Sequence, residues 1–400
     1  MTSLFSSIRL AWRRGHLAAA LLAVALLHAC GGGVEGQGTG SVSYSEGPIA
    51  GFGSIIVNGI HFDESSATIT DDDGHALTRA DLKLGMTVRV DSGAIDQTLG
   101  TAVAREVRIG SDLIGPVEAN DLTAKTLQVL GQTVRITAST VFDDAITGGQ
   151  GGVGVGDKVE IFAIFDPVAG SYAAQRIEPA GEPTSYKLRG TVSALDTVQR
   201  TFKMGPATLT YSAGAAPADL ANGQLLRVSL QTSIDGSGRW VVSQFANGAS
   251  TPVDGGEAEI ESVIASYTSN ADFVISGVRV NASSARIEPA GATLAAGVRV
   301  EVEGTMQGGV LMADEVKVKG SGDDDGDDEG REVELKGDIT ALDTAAKTMV
   351  VRGQTIDYAS ATFSGDLGES DLAVGRQVEV HGTLSSDGTY VVAEEIEIDD

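Results

Sequence analysis

Acidic side chains are the main chemical resource of this chain. Asp323, Asp325 and Asp327 alternate within Gly320-Ser-Gly-Asp-Asp-Asp-Gly-Asp-Asp-Glu-Gly330, and Glu334 falls at position 12 counted from Asp323. Oxygen donors at positions 1, 3, 5 and 12 are those a calcium loop wraps around a hard cation. These four residues are the candidate metal ligands, and calcium is the cofactor they would take. The glycine such a loop wants at position 6 is Asp328 here. The run equally suits a solvated acidic linker that buries no surface. Asp71-Asp72-Asp73-Gly74 is a second acidic turn, for which Asp-Gly turn chemistry is sufficient. Further acids alternate as Glu257, Glu259 and Glu261, as Glu301 and Glu303, and as Glu395 and Glu397. Two-residue spacing puts each set on one strand face. That face is expected to meet solvent, with charge keeping it from sticking to other sheets.

The remaining catalytic vocabulary is thin. Gly149-x-Gly151-x-x-Gly154 fits a dinucleotide-loop spacing but precedes a strand instead of opening a helix, so it does not cradle phosphate. There are five histidines and one cysteine. Neither a Gly-x-Ser-x-Gly elbow nor a His-Glu-x-x-His pair occurs, so nucleophilic and zinc chemistry lack their parts. His61 alternates with Ile60 and Phe62 and belongs on the outer face of a strand. Tyr172, Trp240 and Tyr390 occupy matching places, where an aromatic ring plugs the end of a small barrel or stacks on a ligand. A net charge of −27 argues against nucleic acid, whose binding is driven by Lys and Arg displacing counterions from phosphate.

The elements that carry these residues are short strands. Thr126-Leu-Gln-Val-Leu-Gly-Gln-Thr-Val-Arg-Ile136 alternates apolar and polar residues on both sides of Gly131, the pattern of a half-buried hairpin. It returns around Gly59, Gly205, Gly277 and Gly353, at spacings of 72, 74, 72 and 76 residues by subtraction. A period of that size marks a repeat protein. Each unit also has a glycine (Gly85, Gly156, Gly223, Gly297, Gly375) followed by apolar residues at +3 and +5. Those two side chains share one strand face, and the glycine suits a turn with positive φ. An opening strand, the hairpin pair, the strand after the glycine and a closing strand make five strands in about 70 residues. The fold class is therefore all-β, in about five tandem repeats. Each repeat is a small five-stranded antiparallel barrel like an OB-fold, which reduces exposed edges; a two-layer sandwich is the alternative.

The hairpins, Thr140-Val-Phe142 and Ala361-Thr-Phe363, Leu84-Gly-Met-Thr-Val-Arg-Val90 and the closing strands together resemble the bacterial family called domain of unknown function 5666. Unit four carries Glu261 where its siblings have the opening glycine. The resemblance implies no activity and no catalytic residue.

At the N-terminus, Arg9, Arg13 and Arg14 precede the apolar run Leu17–Leu27, too short for the ~20 residues of a membrane span. Leu27-His28-Ala29-Cys30 then resembles the lipobox of bacterial lipoproteins. That resemblance implies cleavage before Cys30, lipidation of its thiol and amine, and, with Gly31 next, sorting to the outer membrane. The expected organisation is a lipoprotein signal peptide (1–29), a lipidated flexible tether (30–46), repeats at 47–110, 111–181, 182–248 and 249–319, an acidic linker (320–331) and a fifth repeat (332–400). The functional expectation is a non-enzymatic cell-envelope lipoprotein, exported and anchored to the membrane through Cys30, serving as a structural or interaction module. The alternative is a protein that binds calcium or an extracellular polymer.

Overall fold

The computed structural model describes residues 42–320, 332–365 and 368–398. Repeat two shows the plan. Its opening strand Leu113–Asp121 pairs antiparallel with the first hairpin strand Thr126–Val129, which pairs with the second, Gln132–Arg135. The second hairpin strand lies parallel to the closing strand Ser171–Pro179. The closing strand pairs antiparallel with the return strand Lys158–Asp166, and that strand returns to the opening strand. The ring of pairings is closed and has the OB strand order. One pair is parallel, so the all-antiparallel expectation is corrected at that position. A parallel pair needs a crossover, which the return strand and its loops supply.

All five units close this way. The opening strands are Ser43–Phe52, Leu113–Asp121, Tyr186–Asp196, Glu257–Ser269 and Glu332–Asp343. The closing strands are Thr101–Ile109, Ser171–Pro179, Trp240–Asn247, Val310–Val318 and Val391–Ile398. One residue of each opening strand marks where it leaves the return strand for the hairpin: Ile49, Val117, Val192, Ile264 and Ile339. Its carbonyl accepts the N–H of the expected turn glycine, from Gly85, Gly156, Gly223, Gly297 and Gly375, at 2.8–2.9 Å. Every one of these glycines has φ between +79° and +95°. Only glycine adopts such a turn without strain.

Two residues before each switch residue stand Gly47, Gly115, Gly190, Ser262 and Gly337. The opening-glycine position of repeat four is therefore Ser262, not Glu261. In repeats one, two and five a Cβ on the opening glycine would press on the hairpin-turn residue: Asn58, Leu130 or Arg352. In repeat four that turn residue is the small Ser276, in the same positive-φ conformation.

Repeat one begins earlier than expected. Its opening strand starts at Ser43, and Tyr44 is buried, so the last residues assigned to the tether belong to the barrel. This strand reaches two other repeats. Ser43–Glu46 runs parallel to Glu257–Ile260 of repeat four, and Gly51 and Phe52 pair parallel with Glu334 and Leu335 of repeat five. Leu113 and Ile114 likewise pair with Leu188 and Lys187, joining the sheets of repeats two and three. The apolar core follows these seams. Repeats one and five share one cluster, joined by Val141 and Phe162 of repeat two; repeats two and three share a second; repeat four forms a third with Tyr44 of repeat one.

Candidate functional site

Where repeats one to four meet, charged side chains of repeats one to three are turned towards one another, and repeat four adds the hydroxyls of Ser250 and Ser276. Lys187 and Arg189 alternate with the core residues Tyr186 and Leu188, so both leave the outer face of the third opening strand. Arg227 lies directly across from Arg189 on the return strand. Repeat one supplies Glu46, Arg89, Asp72 and Asp73, and Asp112 leads into repeat two. Four acids meet four bases, and the side chains of Asp112, Asp72, Arg227 and Lys187 are 3%, 8%, 9% and 10% exposed.

The pairing is specific. Lys187 Nζ lies 2.7 Å from Asp72 Oδ1, and Arg227 Nε lies 3.2 Å from Asp72 Oδ2. Arg227 Nη1 is 2.6 Å from Asp73 Oδ1, and its Nη2 donates to the Asp72 carbonyl at 2.7 Å. Arg189 reaches furthest. Its guanidinium bonds Asp112 Oδ1 at 3.1 Å, the Gly248 carbonyl at 2.8 Å and Ser276 Oγ at 3.0 Å, and it lies 3.8 Å from Glu46 Oε1. Ser276 Oγ and Tyr44 Oη donate to Glu46 at 3.1 and 2.6 Å, and Ser250 Oγ also donates to it. Asp112 Oδ2 accepts the Ala163 N–H at 3.0 Å.

Burial alone would push the Glu46 carboxyl up, but Arg89, Arg189 and the hydroxyls bonded to it hold it below the usual carboxylate range. Burial wins at Asp112, which is raised in spite of Arg189. The cavity at the centre has a volume of about 50 Å³. A buried water needs ~10–15 Å³, so the space suits a few waters bridging the charges and is too small for an organic ligand. The chemistry of the site is adhesion: paired charges whose partners come from different repeats.

A second acidic cluster lies along the seam of repeats one and four. Ser43 Oγ and Ser45 Oγ donate to Glu257 and Glu259 at 3.1 and 3.4 Å. Glu259 and Glu301 are 4% and 3% exposed. These two acids were expected on a solvent face; the structure buries both, Glu259 on the strand that pairs with repeat one and Glu301 on the neighbouring return strand. Lys317 and Lys319 reach Glu301 at 2.7 and 2.9 Å. Burial, followed by the charges of Glu301 and Glu303, raises the Glu259 carboxyl to about 8. Glu395 and Glu397 are exposed as expected.

The other residues singled out from the sequence are accounted for as follows. Cys30, Asp323, Asp325 and Asp327 lie outside the described residues. Glu334 sits in the fifth opening strand, opposite His381 and beside Gly51. Asp72 and Asp73 of the acidic turn are spent on repeat three. The Gly149 turn is a close approach, since a Cβ there would lie 2.4 Å from the Asp387 carbonyl of repeat five. Tyr172 is a plug, with its hydroxyl donating to the Arg189 carbonyl at 2.5 Å. Trp240 packs edge-on against Tyr186 at 5.7 Å, and Tyr390 is half-buried. His61 is half-buried between two buried neighbours, on the outer face. The junction residues Glu46, Arg89, Asp112, Lys187, Arg189 and Arg227 were not singled out. The available signal was two bases alternating with core residues on one strand of an acidic chain.

Closed five-stranded barrels in OB order, joined by strand pairing between repeats and by buried ion pairs, make this a tandem OB-type β-barrel protein. The chain belongs to the family described as Domain of unknown function (DUF5666), whose model matches residues 46–108, 114–178, 259–327 and 336–397. Repeat three lies between the second and third matches. Solved structures that match include Drosophila Unr CSD456 (13% identity, 55% of this chain and 98% of that one, TM-score 0.14). Another is a multidomain protein with nucleic acid binding domains from Streptococcus pneumoniae (14% identity, 52% and 72%, TM-score 0.15). Superposition at that level carries no functional argument. A search among curated proteins finds no match.

Proposed function

We propose that the protein is a non-catalytic lipoprotein of the cell envelope, anchored in the outer membrane through lipid on Cys30, and that its barrels work as one structural or interaction module. The observation that supports this most is the junction of four acids and four bases from repeats one to three, to which repeat four adds two hydroxyls. Its titratable groups are committed to each other, and removing repeat one, two or three would strand buried charge in its neighbours. A chain that invests in this way uses its repeats together.

The test is fractionation of cells followed by mass spectrometry of the mature N-terminus. The expected result is a membrane-bound chain beginning at an acylated Cys30, and release of the chain into the soluble fraction by Cys30→Ser. A soluble wild-type chain with an unmodified Cys30 thiol would overturn the proposal.

A further inference from the structure

In four of the repeats the outer half of the closing strand is covered by a sixth, short strand running parallel to it. Thr68–Asp71 lies along Glu106–Ile109, Val141–Phe142 along Arg176–Ile177, Arg286–Glu288 along Glu315–Lys317, and Thr362–Ser364 along Glu395–Glu397. Each covering strand sets a large apolar residue (Ile69, Phe142, Ile287, Phe363) against a closing-strand residue: Val107, Ile177, Val316 or Ile396. All four of these partners are fully buried.

Repeat three lacks this strand. Its closing strand pairs with the second hairpin strand only over Trp240–Val242, and beyond that point it has the return strand alone. Phe245, five residues on from Trp240, stands where Val107, Ile177, Val316 and Ile396 stand, yet it is only partly buried. Its ring contacts Phe202 and Tyr211, at centroid distances of 5.9 and 5.8 Å. The chain's own segment packs Ala216 and Leu220 against this core but forms no strand on that edge. Seven residues on from Leu209, the position of Ile69, Ile287 and Phe363 holds the small Ala216. Pro217 follows, with no N–H to donate.

The backbone at this edge is also free. Gly248 N donates to the Leu225 carbonyl, so by alternation the N–H and C=O of Phe245 and Asn247 point away from the return strand. In repeat two the matching Ile177 carbonyl accepts the Asp143 N–H at 3.0 Å. Among the described residues no strand pairs with this side of Ser243–Asn247.

We propose that this edge docks an extended segment of a partner protein by strand addition. The segment would run parallel to the closing strand and carry one large apolar residue between polar ones, as the four internal covering strands do. Main-chain hydrogen bonds would supply affinity, and the Phe245 surface would select the apolar residue. Docking at this edge does not depend on the lipid anchor.

The test is hydrogen–deuterium exchange on the full chain with a synthetic peptide copying residues 359–366. The amides of residues 243–247 should exchange roughly tenfold more slowly with saturating peptide, as amides entering a stable ladder do. The same peptide carrying Phe363→Asp should give no protection, and Phe245→Ala in the protein should weaken binding of the native peptide. Equal protection by both peptides, or none by either, would overturn the proposal. So would protection without peptide that grows with protein concentration, because a second copy would then occupy the edge.

Discussion

Arg189 shows what a single residue does here. It touches groups from repeats one, two and four while standing on repeat three. Replacing it by Met would leave Asp112 without its cationic partner and Glu46 with Arg89 alone, and breaking a buried pair costs ~3–5 kcal/mol. Denaturant unfolding should show that loss, and a change below ~1 kcal/mol, the level of surface pairs, would mean the junction is solvated and weak. Glu259 carries the opposite lesson. Its folded value of about 8 exceeds the ordinary 4.5, so between those limits the fold holds a proton that the unfolded chain has released. This contribution to stability is complete below pH 4.5 and is lost as pH rises towards 8. Glu259→Gln should therefore match the wild type near pH 4.5 and melt higher than it by pH 8. An offset that does not vary with pH would refute this. Neither role was legible beforehand, because alternation reveals that a side chain faces outwards and is silent on whether another repeat covers that face.

At the scale of the element, legibility was high. The hairpins, the turn glycines and the closing strands stand where the period placed them, because each is set by local chemistry. In four hairpins both turn residues have positive φ, as in Leu130-Gly131 and Asn58-Gly59, the backbone that matches strand twist. A turn motif escaped notice. Asp121, Asp196 and Asp343 each accept two backbone N–H groups, from the second and third residues after them, and Lys125, Arg200 and Lys347 follow in the left-handed region. Its spelling, Asp-x-x-x-Lys/Arg-Thr, was present in the sequence three times. The opening glycines matter through packing. A Cβ on Gly115 would lie 2.6 Å from Leu130 Cγ, so Gly115→Ala should destabilise by ~1–3 kcal/mol, the cost of overpacking. Pairing it with Leu130→Ala should recover part of that loss in thermal melts; strict additivity would show that the two side chains do not meet.

At the scale of the whole molecule, the repeats are not independent beads. Val333, Leu335 and Val378 of repeat five share a core with Phe52, Ile55 and Val88 of repeat one. A chain ending at residue 320 should therefore melt at a lower temperature than the full chain, with repeat one losing protection from exchange. An unchanged melt of the remaining repeats would show that the shared core contributes nothing. This arrangement was invisible in the period, since five equal units could stand as a rod or a string. It depends on one strand at the front of the chain that lies beside repeats made much later.

That placement sets a timetable for synthesis. The opening strand of repeat one is made well before its neighbours at Glu257–Ile260 and Glu334–Leu335, which come three and four repeats later. Contacts so distant in sequence are slow to form because the intervening loop must close first. Until then the outer side of Ser43–Phe52 is an unpaired edge in the growing chain, open to the wrong partner. The nascent first repeat is thus the stage at which this protein most needs a chaperone, and the fifth repeat is the event that ends that need.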